Sequence, residues 1–188
     1  ISGGKIKVTT SGYNGEGIES KNYLDITGGE IFVNSYDDGI NSAQDMTISG
    51  GYVYSRSTKN DGIDANGNCY LNGGLVYAIG SGGAEMAVDA NSEEGKNVYI
   101  NGGTLIAIGN LENGSSISQA TYRTSSVSGN TWYSLSYGNE LVAFYTPQVS
   151  TGGGPGGGPG GGSGGGPGGN GSSSMTISVP YTPTLKSG

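Results

Sequence analysis

The chain has 188 residues and a formal net charge of −7, with 40 Gly, 13 Tyr, one Cys and no His. That charge argues against nucleic acid, whose binders need a basic stripe, the missing His excludes Ser–His and Cys–His nucleophilic schemes, and one Cys excludes an internal disulfide. Few helix formers beside short runs of Thr, Val, Ile and Tyr predict an all-β chain, and no stretch reads as a signal peptide or membrane span.

The first residues, "ISGG", lack a Met and already lie inside a repeat, which reads as a piece of a longer precursor. Gly-Gly pairs then begin at Gly3, Gly28, Gly50, Gly73 and Gly102, at intervals of 25, 22, 23 and 29 residues. Each pair opens an alternating run: "KIKV", "EIFV", "YVYS", "LVYA" and "TLIA". An acidic turn follows, ending in "GIES", "GINS", "GIDA" or "AVDA", and a third short run returns to the next pair. Three strands and three turns per repeat predict the coil of a parallel β-helix.

Aligned coils give inward columns. Ile6, Ile31, Val53, Val76 and Leu105 form one, with Val8, Val33, Ser55, Ala78 and Ala107 beside it. Ile18, Ile40, Ile63 and Val88 fill a second wall. Leu24, Met46, Cys69 and Val98, with Ile26, Ile48, Leu71 and Ile100, fill a third, which makes Cys69 a core thiol. Coils about 4.8 Å apart would turn each column into a ladder of contacts. A barrel or sandwich also fits regular short strands, but the columns favour the solenoid.

The predicted organisation is a β-helix over 1–112 and a β-hairpin cover over 113–151 built on "TWYSLSYGNELVAFYTP". A Gly/Pro-rich tract over 152–171 and a C-terminal strand over 172–188 complete it. The tract has 15 Gly in 20 residues with a period of four rather than the collagen three, and reads as a flexible linker. If ordered, its entropy cost would demand partners on the solenoid or on a neighbouring chain.

The acidic turns contribute Glu16 and Glu19; Asp37, Asp38 and Asn41; Asn60, Asp61 and Asp64; and Glu85 and Asp89, stacked along one edge. Two carboxylates about 4.8 Å apart repel by about 3 kcal/mol at an effective dielectric of 20. Solvent or a cation must relieve that repulsion. Oxygen donors without His or paired Cys suit a hard ion, Ca²⁺ before Mg²⁺, while Asp, Asn and Gly are also ordinary turn residues. The second and third coils look richest, through Asp37, Asp38, Asn60, Asp61 and Asp64. The fourth departs from the pattern, with Met86 and Ala87 standing where Asp61 and Gly62 do.

Outside the first wall, Phe32, Tyr54 and Tyr77 stack, with Tyr52 beside them; on the third wall Tyr70 and Tyr99 do the same. Such rows suit either sugar rings or, for the first ladder, the hairpin that must cover an apolar surface. Tyr70 and Tyr99 are then the freer candidates, joined by Tyr54, Tyr77, Lys59 and Arg56 as possible carbohydrate contacts.

Coils of the form "GGxxxVxS…DGIxA…xxIxGG", with "SSISQATYR" and "MTISVPYTPTLKSG" further on, resemble a bacterial carbohydrate-binding β-helix family. That family is the one of clostridial cellulose- and polygalacturonate-binding proteins, with a pectate-lyase-like fold. The resemblance implies a right-handed parallel β-helix and an extracellular or cell-surface, non-catalytic, calcium-binding polysaccharide binder. Acidic glycans such as polygalacturonate, or cellulose, are the expected partners. In that mechanism Ca²⁺ held by Asp61, Asp64 and their neighbours bridges to a uronate carboxylate.

Two other readings stand beside it. One is a structural subunit of an extracellular filament, a homo-polymer formed by head-to-tail stacking, since an uncapped coil end invites another chain. The other, less favoured, is an enzyme. Arg56 and Lys59 would be the proton abstractors of a polysaccharide lyase, and the many acids are compatible with a paired-carboxylate glycosidase.

Overall fold

The computed structural model describes residues 1–148 and 173–188; the expectations for the Gly-rich tract fall on residues outside this set. The first coil contains β1 (Ser2–Thr9), β2 (Ile18–Ser20) and β3 (Leu24–Ile26). The second follows with β4 (Gly28–Ser35) and β5 (Ile40–Ser42). There β6 (Met46–Ser57) runs from the third wall of one coil straight into the first wall of the next. The later coils use β7 (Ile63–Ala65), β8 (Cys69–Ile79), β9 (Met86–Ala90), β10 (Val98–Ile100), β11 (Thr104–Ile108), β12 (Asn110–Leu111) and β13 (Ser116–Ile117). A 3-10 turn, Ser92–Glu94, sits between β9 and β10.

The chain is nearly all β and forms a β-solenoid of about five turns. Its coils stack in the register the apolar columns predict. Along the first wall Ile6 pairs with Ile31, Ile31 with Val53, Val53 with Val76 and Val76 with Leu105. Along the second, Ile18, Ile40, Ile63 and Val88 follow one another. Met46, Cys69 and Val98 do so along the third. These ladders are parallel, and their inward side chains form one core in which Ile31, Ile40, Ile48, Ile63 and Ile100 are fully buried. Cys69 lies in that core, where burial pushes its thiol up to about 12.

Glycine permits the corners. Gly74 has φ +78°, and a Cβ there would lie 2.7 Å from the Gly51 carbonyl oxygen of the coil beneath. Only glycine fits a left-handed backbone at so close an approach.

At the last coil the pattern changes. The antiparallel strand β17 (Ser173–Val179) takes the free edge of β11, and β14 (Ala120–Val127) pairs with β17. Among the described residues, the outer edge of this sheet at that end therefore belongs to β14 rather than to a coil strand. A separate three-stranded sheet consists of the hairpin β15 (Thr131–Tyr137) and β16 (Glu140–Thr146) with β18 (Thr184–Ser187).

This sheet covers the outer face of the first wall. Tyr77, Ile79, Ile106 and Ile108 join Leu135, Phe144, Met175 and Ile177 in a second apolar cluster. That cluster explains why "LVYAI" and "TLIAI" are continuously apolar while the earlier "KIKV" alternates: strands covered on both faces lose the polar positions. No described helix is long and apolar enough to cross a membrane.

Candidate functional site

The acidic edge is built by the turn before each second-wall strand. Gly39 N–H donates to the Asp61 carbonyl and Gly62 N–H to that of Met86, so Glu16, Asp38, Asp61 and Met86 occupy one column. Glu19, Asn41, Asp64 and Asp89 occupy a second, set by the pairing of β2, β5, β7 and β9. A Cβ at Gly62 would lie 2.7 Å from the Ala87 carbonyl oxygen, so the turns stack with no room for a side chain there.

Between the second and third coils the polar groups satisfy one another. Asp38 Oδ1 accepts the Asp61 N–H at 3.1 Å and its Oδ2 accepts from Asn41 Nδ2 at 3.1 Å. Asn41 Nδ2 also reaches Asp64 Oδ2 at 3.2 Å, and Asn60 Nδ2 donates to Asp37 Oδ1 at 2.7 Å. One coil further on, Asp61, Asp64 and Asp89 offer carboxylate oxygens all within 4.8 Å of one another. The densest set of acids thus lies between the third and fourth coils, not the second and third. The reason is in the column: Asn41 is an amide that bridges its neighbours, whereas Asp64 and Asp89 are both carboxylates.

Electrostatics sharpen that contrast. Burial, then the charges of Asp38, Asp64 and Glu85, push Asp61 up to about 8 against the pull of the Met86 N–H that it accepts. Burial, then Asp38 and Glu16, push Asp64 up to about 7. Asp89 is raised by burial and by its hydrogen bond with Glu112. Burial opposes ionisation of Glu112, yet hydrogen bonds with Asp89, Ser92 and the Asn113 N–H together hold it below its ordinary value. Burial and the charges of Asp38 and Asp37 raise Glu16, and burial raises Asp38. Among the described residues the ion pairs are Lys5–Glu30 and Lys21–Glu19, so no basic side chain compensates the trio. Asp89 Oδ1 and Glu16 Oε2 are buried without a hydrogen-bond partner.

The remaining expected residues are dispersed. Glu19 is exposed and bound to Lys21 on the first coil, and Glu85 stands half-buried beside the trio as a charge. Tyr70 and Tyr99 stack on the third wall with ring centroids 5.1 Å apart and planes 13° from parallel. Beside them Asn101 Nδ2 donates to Asn72 Oδ1 at 2.9 Å. Tyr77 is only 4% exposed and donates its hydroxyl to the Tyr145 carbonyl at 2.8 Å, beneath the hairpin. That cover removes Tyr77 from the surfaces a sugar reaches, and Tyr54 packs half-buried against the same cluster. Arg56 and Lys59 line a small cleft of about 170 Å³ with Ser81 and Gln148. Arg56 Nη2 approaches the Gln148 carbonyl at 3.4 Å, and neither cation pairs with the trio.

Glu112 is the acid that the repeat pattern missed. Its N–H donates to the Val88 carbonyl and Leu111 pairs with Val88, so it extends the column of Asp64 and Asp89 into a fifth coil. The signal was available in "NLENG": Leu111 stands in the second-wall core column, and the residue after it belongs to the edge.

With this geometry the chain can be set beside known proteins. No curated protein and no solved structure matches it. Residues 1–62, which span the first two coils and run to the third acidic turn, match a family model described as "Carbohydrate-binding domain-containing protein". That similarity supports carbohydrate binding as the general activity.

Proposed function

We propose that this chain is a non-catalytic, calcium-assisted binder of extracellular or cell-surface polysaccharide that favours acidic glycans such as polygalacturonate. The observation that carries the calcium part is the trio of buried Asp61 and half-buried Asp64 and Asp89, mutually close and without a basic partner. Such a cluster must hold protons or a cation near neutral pH. The unpartnered Asp89 Oδ1 and the all-oxygen donor set fit a hard ion. Asp61, Asp64 and Asp89 would hold it, and Asp38 and Asn41 keep Asp61 and Asp64 in place. A bound Ca²⁺ supplies the positive charge that lets an anionic polymer approach a protein of net charge −7.

The protein's own side chains supply the rest. Tyr70 and Tyr99 offer a flat face for sugar C–H groups, and Asn72 and Asn101 offer amides for hydroxyls. Arg56 and Lys59, in the cleft next to the third acidic turn, add donors for a carboxylate.

Calorimetric titration with polygalacturonate tests this reading. Affinity should fall at least tenfold on adding a chelator, and by a similar factor in Asp61→Asn/Asp64→Asn. Binding that ignores both changes refutes the calcium bridge, and a wild-type protein that binds no glycan on an array refutes the carbohydrate reading itself.

A further inference from the structure

A groove of about 530 Å³ runs between the last second-wall strand, β12, and the closing strands β14 and β17. Its size falls within the range of about 300–1,000 Å³ typical of small-ligand sites. It shares no lining residue with the Arg56 cleft, and it meets the acidic edge at Met86 and Glu112.

The lining is chemically divided. Half-buried Met86 gives apolar surface, while Asn110 and Glu112 stand on the coil side and Arg123 on β14. Arg123 is exposed, belongs to no ion pair or side-chain hydrogen bond among the described residues, and is the only cation in the lining. Ser174 Oγ donates to Asn110 Oδ1 at 2.8 Å, which fixes the Asn110 amide. Glu112 is anchored by the Asn113 N–H at 2.7 Å.

We infer that this groove is a subsite for one uronic acid residue of an acidic oligosaccharide, with its carboxylate on the Arg123 guanidinium. The inference rests on the carbohydrate-binding reading above but not on the calcium bridge. A guanidinium presents paired donors that match a carboxylate. The Met86 side chain suits the C–H face of a sugar ring, which a bare inorganic anion does not have. Glu112 and Asn110 accept from or donate to hydroxyls on the ring's other side. Glu112 also repels a ligand that is anionic all round, so the groove selects an acid on one edge and hydroxyls on the other.

The chain's three methionines make the test direct. Half-buried Met86 lines the groove, whereas Met175 is sealed beneath the cover and Met46 in the solenoid core. Trigalacturonate is titrated into protein carrying ¹³C-methyl methionine, in chelator, so that the acidic edge holds no cation. The Met86 methyl signal should move and that of Met46 should not. Arg123→Gln should weaken binding at least tenfold, with Arg123→Lys between it and wild type. Cellotriose, which has no carboxylate, should bind wild type and Arg123→Gln alike.

Trigalacturonate that binds without moving Met86, or equally well to Arg123→Gln, overturns the groove and leaves the calcium-bridge reading standing. Polygalacturonate that binds only with Ca²⁺, while trigalacturonate is silent in chelator, also overturns it. No binding of either ligand with or without Ca²⁺ sinks both proposals.

Discussion

At the scale of single residues, the acidic edge is a set of carboxylates that folding places where ionisation is unfavourable. Asp61 and Asp64 keep their protons up to about 8 and about 7 in the folded chain, against an ordinary 3.8. Between those values the folded state binds more protons than the unfolded one. In the absence of cations, their contribution is therefore complete below about pH 4 and is lost as pH rises towards 8. Thermal melts in chelator should show Tm lower at about pH 8 than at about pH 5.5, by on the order of 5 °C. Asp61→Asn keeps an acceptor for the Met86 N–H while deleting the charge, so it should flatten that slope. Saturating Ca²⁺ should raise Tm more at the higher pH and release protons on binding. A Tm that climbs with pH in chelator contradicts the burial account.

Among whole elements, coil stacking depends on close backbone passage at the Gly-Gly corners. Gly74 and Gly4 both have positive φ, but a Cβ at Gly74 meets the Gly51 carbonyl oxygen while one at Gly4 meets nothing within 4 Å. Gly4→Ala should cost about 1–3 kcal/mol through its dihedral alone. Gly74→Ala should cost clearly more, because a neighbouring coil must also shift. Urea denaturation midpoints compare the two directly. Equal losses would mean that the corners need the backbone conformation but not the close approach.

The molecule as a whole has two apolar clusters, one inside the solenoid and one between its first wall and the covering strands. Ile177 belongs to the second, fully buried on β17 opposite Ile106 and Tyr122. Ile177→Ala should cost about 2–5 kcal/mol. If the clusters are separate cooperative units, hydrogen exchange should speed up in β14, β15 and β17 while β4 and β6 keep their protection. Equal acceleration throughout would show that cover and solenoid unfold together. The cover also sets which aromatics meet solvent: it hides Tyr77 and leaves the Tyr70–Tyr99 stack outside.

How much of this was legible in the chain follows from what repeats. A column such as Ile18, Ile40, Ile63 and Val88 is visible in one dimension because a constant coil length turns spacing along the chain into stacking in space. Coil register, core membership and the membership of the acidic edge up to Asp89 were therefore determined by the sequence by itself. Where the repeat ends, that conversion stops. Glu112 joins the edge only because β12 takes up the fifth coil. The antiparallel closure by β17 and the groove holding Arg123 arise from contacts between segments with no shared period. Even within the repeat, spacing could not decide which acids crowd: hydrogen bonds quiet Asp38 through Asn41, while Asp61, Asp64 and Asp89 are left facing one another. That choice depends on side-chain direction and burial, which only the tertiary structure supplies.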